Sequence, residues 1–135
     1  RLKEIDPIER FSLIEYFSQS LDRLYREGFV HGDINRKNII YSSGRLCLID
    51  LEPSLLQVKD RVKQWMSTRP YRHHDDMQNN NVTFKSDFLG FSCFVKWFMK
   101  NTKSPHYYVD ECSKIINEFK AKSYPFQNLV KILIR

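Results

Sequence analysis

The chain has 135 residues, 41% hydrophobic and 14% aromatic, with 22 Lys and Arg against 16 Asp and Glu for a net charge of +6. This composition excludes a disordered chain, and the length suits one domain, residues 1–135, with its own core. No apolar stretch reaches the roughly 18 residues that a spanning helix needs, so no membrane span is expected. The basic residues form no long run, so no nucleic-acid partner is expected either.

Arg1 opens the chain and a helical pattern follows almost at once, so the sequence reads as part of something longer or as a processed product. Asp6-Pro7-Ile8-Glu9 combines a capping carboxylate, a proline at the first helical position and an acid in the first turn. Ile8, Phe11, Ile14, Phe17, Leu21 and Leu24 then recur at helical spacing, and Gly28 supplies a stop. The spacing predicts a helix over residues 7–27. Next, Ile39-Ile40-Tyr41 and Leu46-Cys47-Leu48-Ile49 flank Ser42-Ser43-Gly44, which predicts a small β-hairpin.

Residues 51–86, with Pro53, Pro70 and the Gln78–Asn81 run, read as a long loop with a weak helix around 55–65. Phe88 to Met99 is apolar almost all round, the pattern of a buried central helix. Amphipathic segments follow at about 107–120 and 125–135. The expected fold class is mainly α with a small β-hairpin. Cys47, Cys93 and Cys112 are odd in number and set among apolar residues, so all three are expected as buried free thiols. That usage fits a reducing compartment, hence a cytoplasmic protein or one delivered into a host cytoplasm.

The chemistry concentrates in Val30-His31-Gly32-Asp33-Ile34-Asn35-Arg36-Lys37-Asn38, on the loop before the hairpin, and in Leu48-Ile49-Asp50-Leu51-Glu52 at its exit. Phosphoryl transfer from a nucleotide needs a carboxylate to take the acceptor's hydroxyl proton and oxygen ligands for magnesium. Asp33 suits the base, and Asn38 and Asp50 suit the metal. His73-His74-Asp75-Asp76 has metal-ligand residue types, but consecutive side chains diverge and no second cluster completes a set.

The string His31-Gly32-Asp33-x-x-x-x-Asn38 resembles the catalytic loop of the protein kinase-like superfamily, H-R-D-x-x-x-x-N, with Gly32 in place of Arg. Leu48-Ile49-Asp50 resembles the strand ending in the metal-binding D-F-G, without its Phe and Gly. The H-G-D form is similar to aminoglycoside and choline phosphotransferases and to atypical kinases. Ser67-Thr68-Arg69-Pro70-Tyr71-Arg72 resembles the end of an activation loop, and Ser86-Asp87-Phe88-Leu89-Gly90 resembles the segment opening the central helix of the C-terminal lobe.

The resemblance implies a kinase-like C-lobe using ATP and Mg2+ on a Ser or Thr hydroxyl of a protein substrate. Asp33 would be catalytic, with Asn35 at the position of a γ-phosphate-contacting Lys. Asn38 and Asp50 would bind nucleotide-bridging metal. His31 and Asp87 would support the loop, and Thr68 and Tyr71 would dock substrate. Without the Arg at position 32, switching through a phosphate read by that residue is unavailable. The glycine-rich loop and lysine strand of an N-lobe are not seen, so the N-lobe is expected upstream or from another chain, and the fragment alone is expected to be inactive. A small-molecule phosphotransferase and a catalytically dead binding module remain open alternatives.

Overall fold

A computed structural model describes residues 5–49, 71–79, 82–100 and 104–134. Helix α1, Pro7–Arg26, starts where Asp6 accepts the Ile8 N–H at 2.9 Å and Pro7 fills the first turn. It ends in a Schellman arrangement. The Gly28 N–H donates to the Tyr25 carbonyl and the Phe29 N–H to Leu24, with Gly28 at φ +83°. Local signals bound this helix at both ends, within a residue of the expected 7–27.

Strands β1, Ile39–Ser42, and β2, Arg45–Leu48, pair antiparallel with Ile39 opposite Leu48 and Ser42 opposite Arg45. Ser43 and Gly44, at φ +54° and +78°, make the two-residue turn. Helix α2, His74–Gln78, and helix α3, Phe84–Lys100, follow. Then come a 3-10 turn, Pro105–Tyr108, helix α4, Val109–Glu118, and helix α5, Pro125–Ile134. Among the described residues the protein is mainly helical with one two-stranded sheet.

α3 is the centre. Every residue from Ser86 to Val95 is buried, because α1, α4, α5 and the 3-10 turn all pack on it. Its rings lock into aromatic neighbours on other helices: Phe91 meets Phe126 nearly edge-on at 5.1 Å, and Phe17 meets Phe94 at 6.2 Å. Buried polar groups tie the helices to one another. Arg10 on α1 donates to the Phe98 carbonyl at 2.9 Å, satisfying the C-terminal end of α3. Asp22, fully buried on α1, accepts the Phe126 and Gln127 N–H groups at 2.8 and 3.1 Å and so caps α5.

Three expectations need correction. The stretch expected as loop through residue 86 contains α2 and the start of α3, because His73 caps α2 by accepting the Asp75 N–H. The segment expected at 107–120 begins as a 3-10 turn at Pro105, capped by Ser104, and its helix runs only from Val109 to Glu118. Cys47 is half-buried, since it lies on the thin hairpin rather than between helices; Cys93 and Cys112 are buried free thiols. The weak helix expected around 55–65, Asp50 and Thr68 lie outside the described residues.

Candidate functional site

Two residues of α3 set the height of the loop before the hairpin. Asp87, in the first turn and 2% exposed, accepts the His31 N–H through Oδ2 and the Gly32 N–H through Oδ1, both at 2.8 Å. Burial pushes its carboxyl up to about 7, against the pull of those two amides. Gly90, one helical turn on, faces the Ile34 carbonyl so closely that a Cβ built there would lie 2.0 Å from that oxygen. The loop's backbone therefore lies directly on α3, anchored by a carboxylate and admitted by a missing side chain.

Gly32 itself has φ +90°, a conformation that costs an L side chain roughly 1–2 kcal/mol. The glycine thus suits the turn that aims both amides at Asp87. His31, 3% exposed, ties the loop to the end of the hairpin. Its Nδ1 accepts the Asp33 N–H at 3.0 Å, so Nε2 carries the proton and donates to the Ile49 carbonyl at 3.0 Å. Asp33 and Ile49, the residue before Asp50, are thereby held by one imidazole.

Asp33 is partly exposed and held by two asparagine amides. Asn35 Nδ2 donates to Oδ1 at 2.9 Å and to the Asp33 carbonyl at 3.2 Å. Asn38 Nδ2 donates to Oδ2 at 3.2 Å and to the same carbonyl at 2.8 Å. All four bonds end on oxygens of Asp33, which fixes each amide with nitrogen toward it. Asn35 Oδ1 accepts the Lys37 N–H at 2.9 Å and caps the 3-10 turn Arg36–Asn38. Asn35 is 3% exposed, so its side chain works inward on Asp33 and on the turn. The carbonyl oxygen of the Asn38 side chain is directed away from Asp33, a neutral oxygen donor of the kind that hard divalent cations prefer.

Tyr71 is half-buried against the core, some way from the Asp33 carboxylate in sequence yet in the electrostatic reach of Arg36. Burial first, and then the nearby Cys93 thiol, raise its hydroxyl above the ordinary tyrosine value, while Arg36 and hydrogen bonds at Ser104 and His106 act the other way. Cys93 in turn is raised by its hydrogen bond with Cys112 and by burial.

The His73–Asp75 ligand atoms lie within 4.8 Å of one another. They are occupied, however, by bonds that build α2. His73 Nδ1 accepts the Asp75 N–H and Nε2 meets Asn117 Oδ1 at 2.9 Å, while Asp75 pairs with Lys85 at 2.6 Å and with His74 at 3.0 Å. The Lys85 hydrogen bond holds the half-buried Asp75 carboxyl below its ordinary value.

In the sequence Asp76 is only the last member of the His73–Asp76 run, and its role as a latch between helices is not legible there. It is 2% exposed and accepts from Thr83 N–H and Oγ1, both at 2.8 Å, and from Ser86 Oγ at 2.7 Å. Ser86 Oγ also accepts the His73 N–H, so Asp76 and Ser86 latch α2 to the turn of α3 that carries Asp87. The spacing of acid, Thr and Ser across a loop leaves no periodic signal to find it by. No described helix is long and apolar enough to cross a membrane. In comparisons with known proteins, no family model and no curated protein matches the chain.

Proposed function

We propose that this chain is a protein kinase-like C-lobe, the catalytic half of an ATP- and Mg2+-dependent phosphotransferase acting on Ser or Thr hydroxyls of a protein substrate. The observation that carries the reading is the convergence on Asp33: two asparagine amides on its carboxylate, one imidazole on its N–H, and Asp87 under the two preceding amides. A loop so heavily tied serves to fix one partly exposed carboxylate, which is what positioning a general base requires.

In this reading Asp33 accepts the proton of the substrate hydroxyl as its oxygen bonds to the γ-phosphorus of ATP, and the bond to the β-bridging oxygen breaks to release ADP. Asn38, through its side-chain oxygen, and Asp50 would hold Mg2+, which supplies charge neutralisation on the phosphates. The donor chemistry fits: Asn38 keeps its oxygen for a ligand by spending its N–H groups on Asp33. Asn35 is a positioning residue here, acting through Asp33. Tyr71 and Thr68 would dock the substrate, and the phosphate-covering half would come from an N-lobe upstream or on a partner.

The test is γ-phosphate transfer by the full-length protein and its Asp33→Asn variant. Loss of transfer with unchanged circular dichroism is expected. Equal transfer by the two would remove Asp33 from the base role, and no transfer by either would count against the proposed activity.

A further inference from the structure

The 3-10 turn beside Asp33 carries two exposed cations, Arg36 and Lys37, and no acid. Among the described residues neither is ion-paired, whereas Lys85 and Lys96 each meet a carboxylate, Asp75 at 2.6 Å and Glu111 at 2.8 Å. Two exposed cations are ordinarily just a solvated face, but here the backbone that carries them is tied to Asp33 and the Arg36 side chain lies over a buried ring. Asn35 accepts the Lys37 N–H while donating to the Asp33 carboxylate, so one side chain sets the position of the cationic turn relative to Asp33. The Arg36 guanidinium lies over the ring of Trp97, 5.3 Å from its centroid. Trp97 is 4% exposed, a rigid platform, and its indole N–H has no acceptor among the described residues. A guanidinium held over a ring keeps N–H groups that can donate to a carboxylate.

We infer that Arg36 and Lys37 select an acidic peptide, one bearing Asp or Glu close to the Ser or Thr whose hydroxyl meets Asp33. This rests on the proposed phosphotransfer for its register, and on the turn itself for its charge. A peptide is favoured over nucleic acid because these cations are two and local. A polynucleotide backbone is tracked by a longer basic groove with stacking rings open to the bases, and here the ring is buried under Arg36.

The experiment uses the full-length protein and two Ser peptides identical except for Glu or Lys flanking the serine. Phosphate transfer from Mg-ATP and peptide binding by fluorescence anisotropy are measured separately. The Glu peptide is expected to have a KM and a Kd about tenfold lower, the size that two exposed ion pairs support, and Arg36→Ala with Lys37→Ala collapses the ratio. Lys37→Glu alone, a change at an exposed site, should shift the ratio toward the Lys peptide. Transfer to both peptides without preference overturns the inference and leaves the proposed activity standing. Transfer to neither counts against the proposed activity, and the anisotropy then decides the inference. Tighter Glu-peptide binding that is lost in the double variant upholds it. Equal binding, or stronger binding of a single-stranded RNA of matched charge, overturns it.

Discussion

The Asp87 carboxylate accepts the Gly32 N–H at 2.8 Å across 55 positions of sequence, joining the most buried helix to the loop that holds Asp33. Its second oxygen takes the His31 N–H at the same distance. Asp87→Ala leaves both buried donors without that acceptor, a loss of about 1–3 kcal/mol. Urea unfolding checks the stability, and hydrogen exchange at His31 and Gly32 checks its origin. Faster exchange confined to other segments would show that the carboxylate does something else.

The same carboxyl sets a pH dependence. Burial raises it to about 7, above the roughly 3.9 of an unfolded Asp. Between these values the native state binds the proton more tightly, so unfolding is opposed by it most strongly at low pH. Its contribution is complete below about pH 4, declines as pH rises toward 7, and is gone above that. Asp87→Asn cannot titrate. The stability difference between parent and Asp87→Asn should therefore shift in favour of the variant as pH rises across this window, measured by urea midpoints at matched ionic strength. A difference that stays flat across the window contradicts the raised value.

Gly90→Ala tests the close approach of α3 and the loop. A Cβ 2.0 Å from the Ile34 carbonyl cannot be accommodated, and the atom it meets is backbone rather than the end of a flexible side chain. The loop must lift from α3, at a cost of about 1–3 kcal/mol, and Asp33 moves with it. Gly28→Ala is the control: nothing lies within 4 Å of its Cβ, so only the φ of +83° is strained, by about 1–2 kcal/mol. Both variants should melt earlier, but only Gly90→Ala should lose activity out of proportion to its stability. Full activity in folded Gly90→Ala would mean that the loop can lift without consequence.

Much of the fold is legible where the signal is local. Asp6-Pro7 and Gly28 bound α1, Ser43-Gly44 turns the hairpin, and the nearly all-round apolar run Phe88–Met99 announces α3. What escaped depends on distance. Asp22 reads as one more acid on an amphipathic helix, and only its bonds to Phe126 and Gln127, 104 and 105 residues away, make it the cap of α5. α2 has five residues, too few to show a period. At the candidate site, the loop, Asp87 and Gly90 stand out as a motif, but the inward turn of Asn35 does not. A side chain's direction depends on what its loop packs against, and no spacing rule encodes that.

Asp22 supplies a test of the scaffold that is independent of any activity. It is fully buried and takes two backbone N–H groups and the Gln127 side-chain amide. Asp22→Ala removes a charged cap, and charge-assisted bonds of this kind are each worth about 1.5–3 kcal/mol. The last helix should loosen first, seen as lost exchange protection across Pro125–Ile134 before global melting. Asp22→Asn keeps one acceptor and should recover part of the loss. Uniform destabilisation without early opening of α5 would show the cap to be no weaker than the rest of the core.

Asn35 separates positioning from catalysis. Its amide nitrogen bridges the carboxylate and carbonyl of Asp33, and its oxygen caps the turn that leads to Asn38. Asn35→Ala deletes these bonds at a site where the backbone is also held by Asp87 and His31, so the loss of stability should stay near the 1 kcal/mol of an ordinary cap. The Asp33 carboxylate loses one of its two amide partners and gains freedom to rotate. A displacement of about 1 Å in a reacting group is enough to cost on the order of 100-fold in rate. In the proposed phosphotransfer, kcat should therefore fall by about 10- to 100-fold while the KM for ATP stays nearly constant, because the Asn35 side chain is buried against Asp33 and the turn. A residue that instead touched the γ-phosphate would raise the KM for ATP along with lowering kcat. Steady-state kinetics on the full-length protein distinguish the two, and an unchanged kcat in a folded variant would show that the remaining contacts of Asp33 suffice to position it.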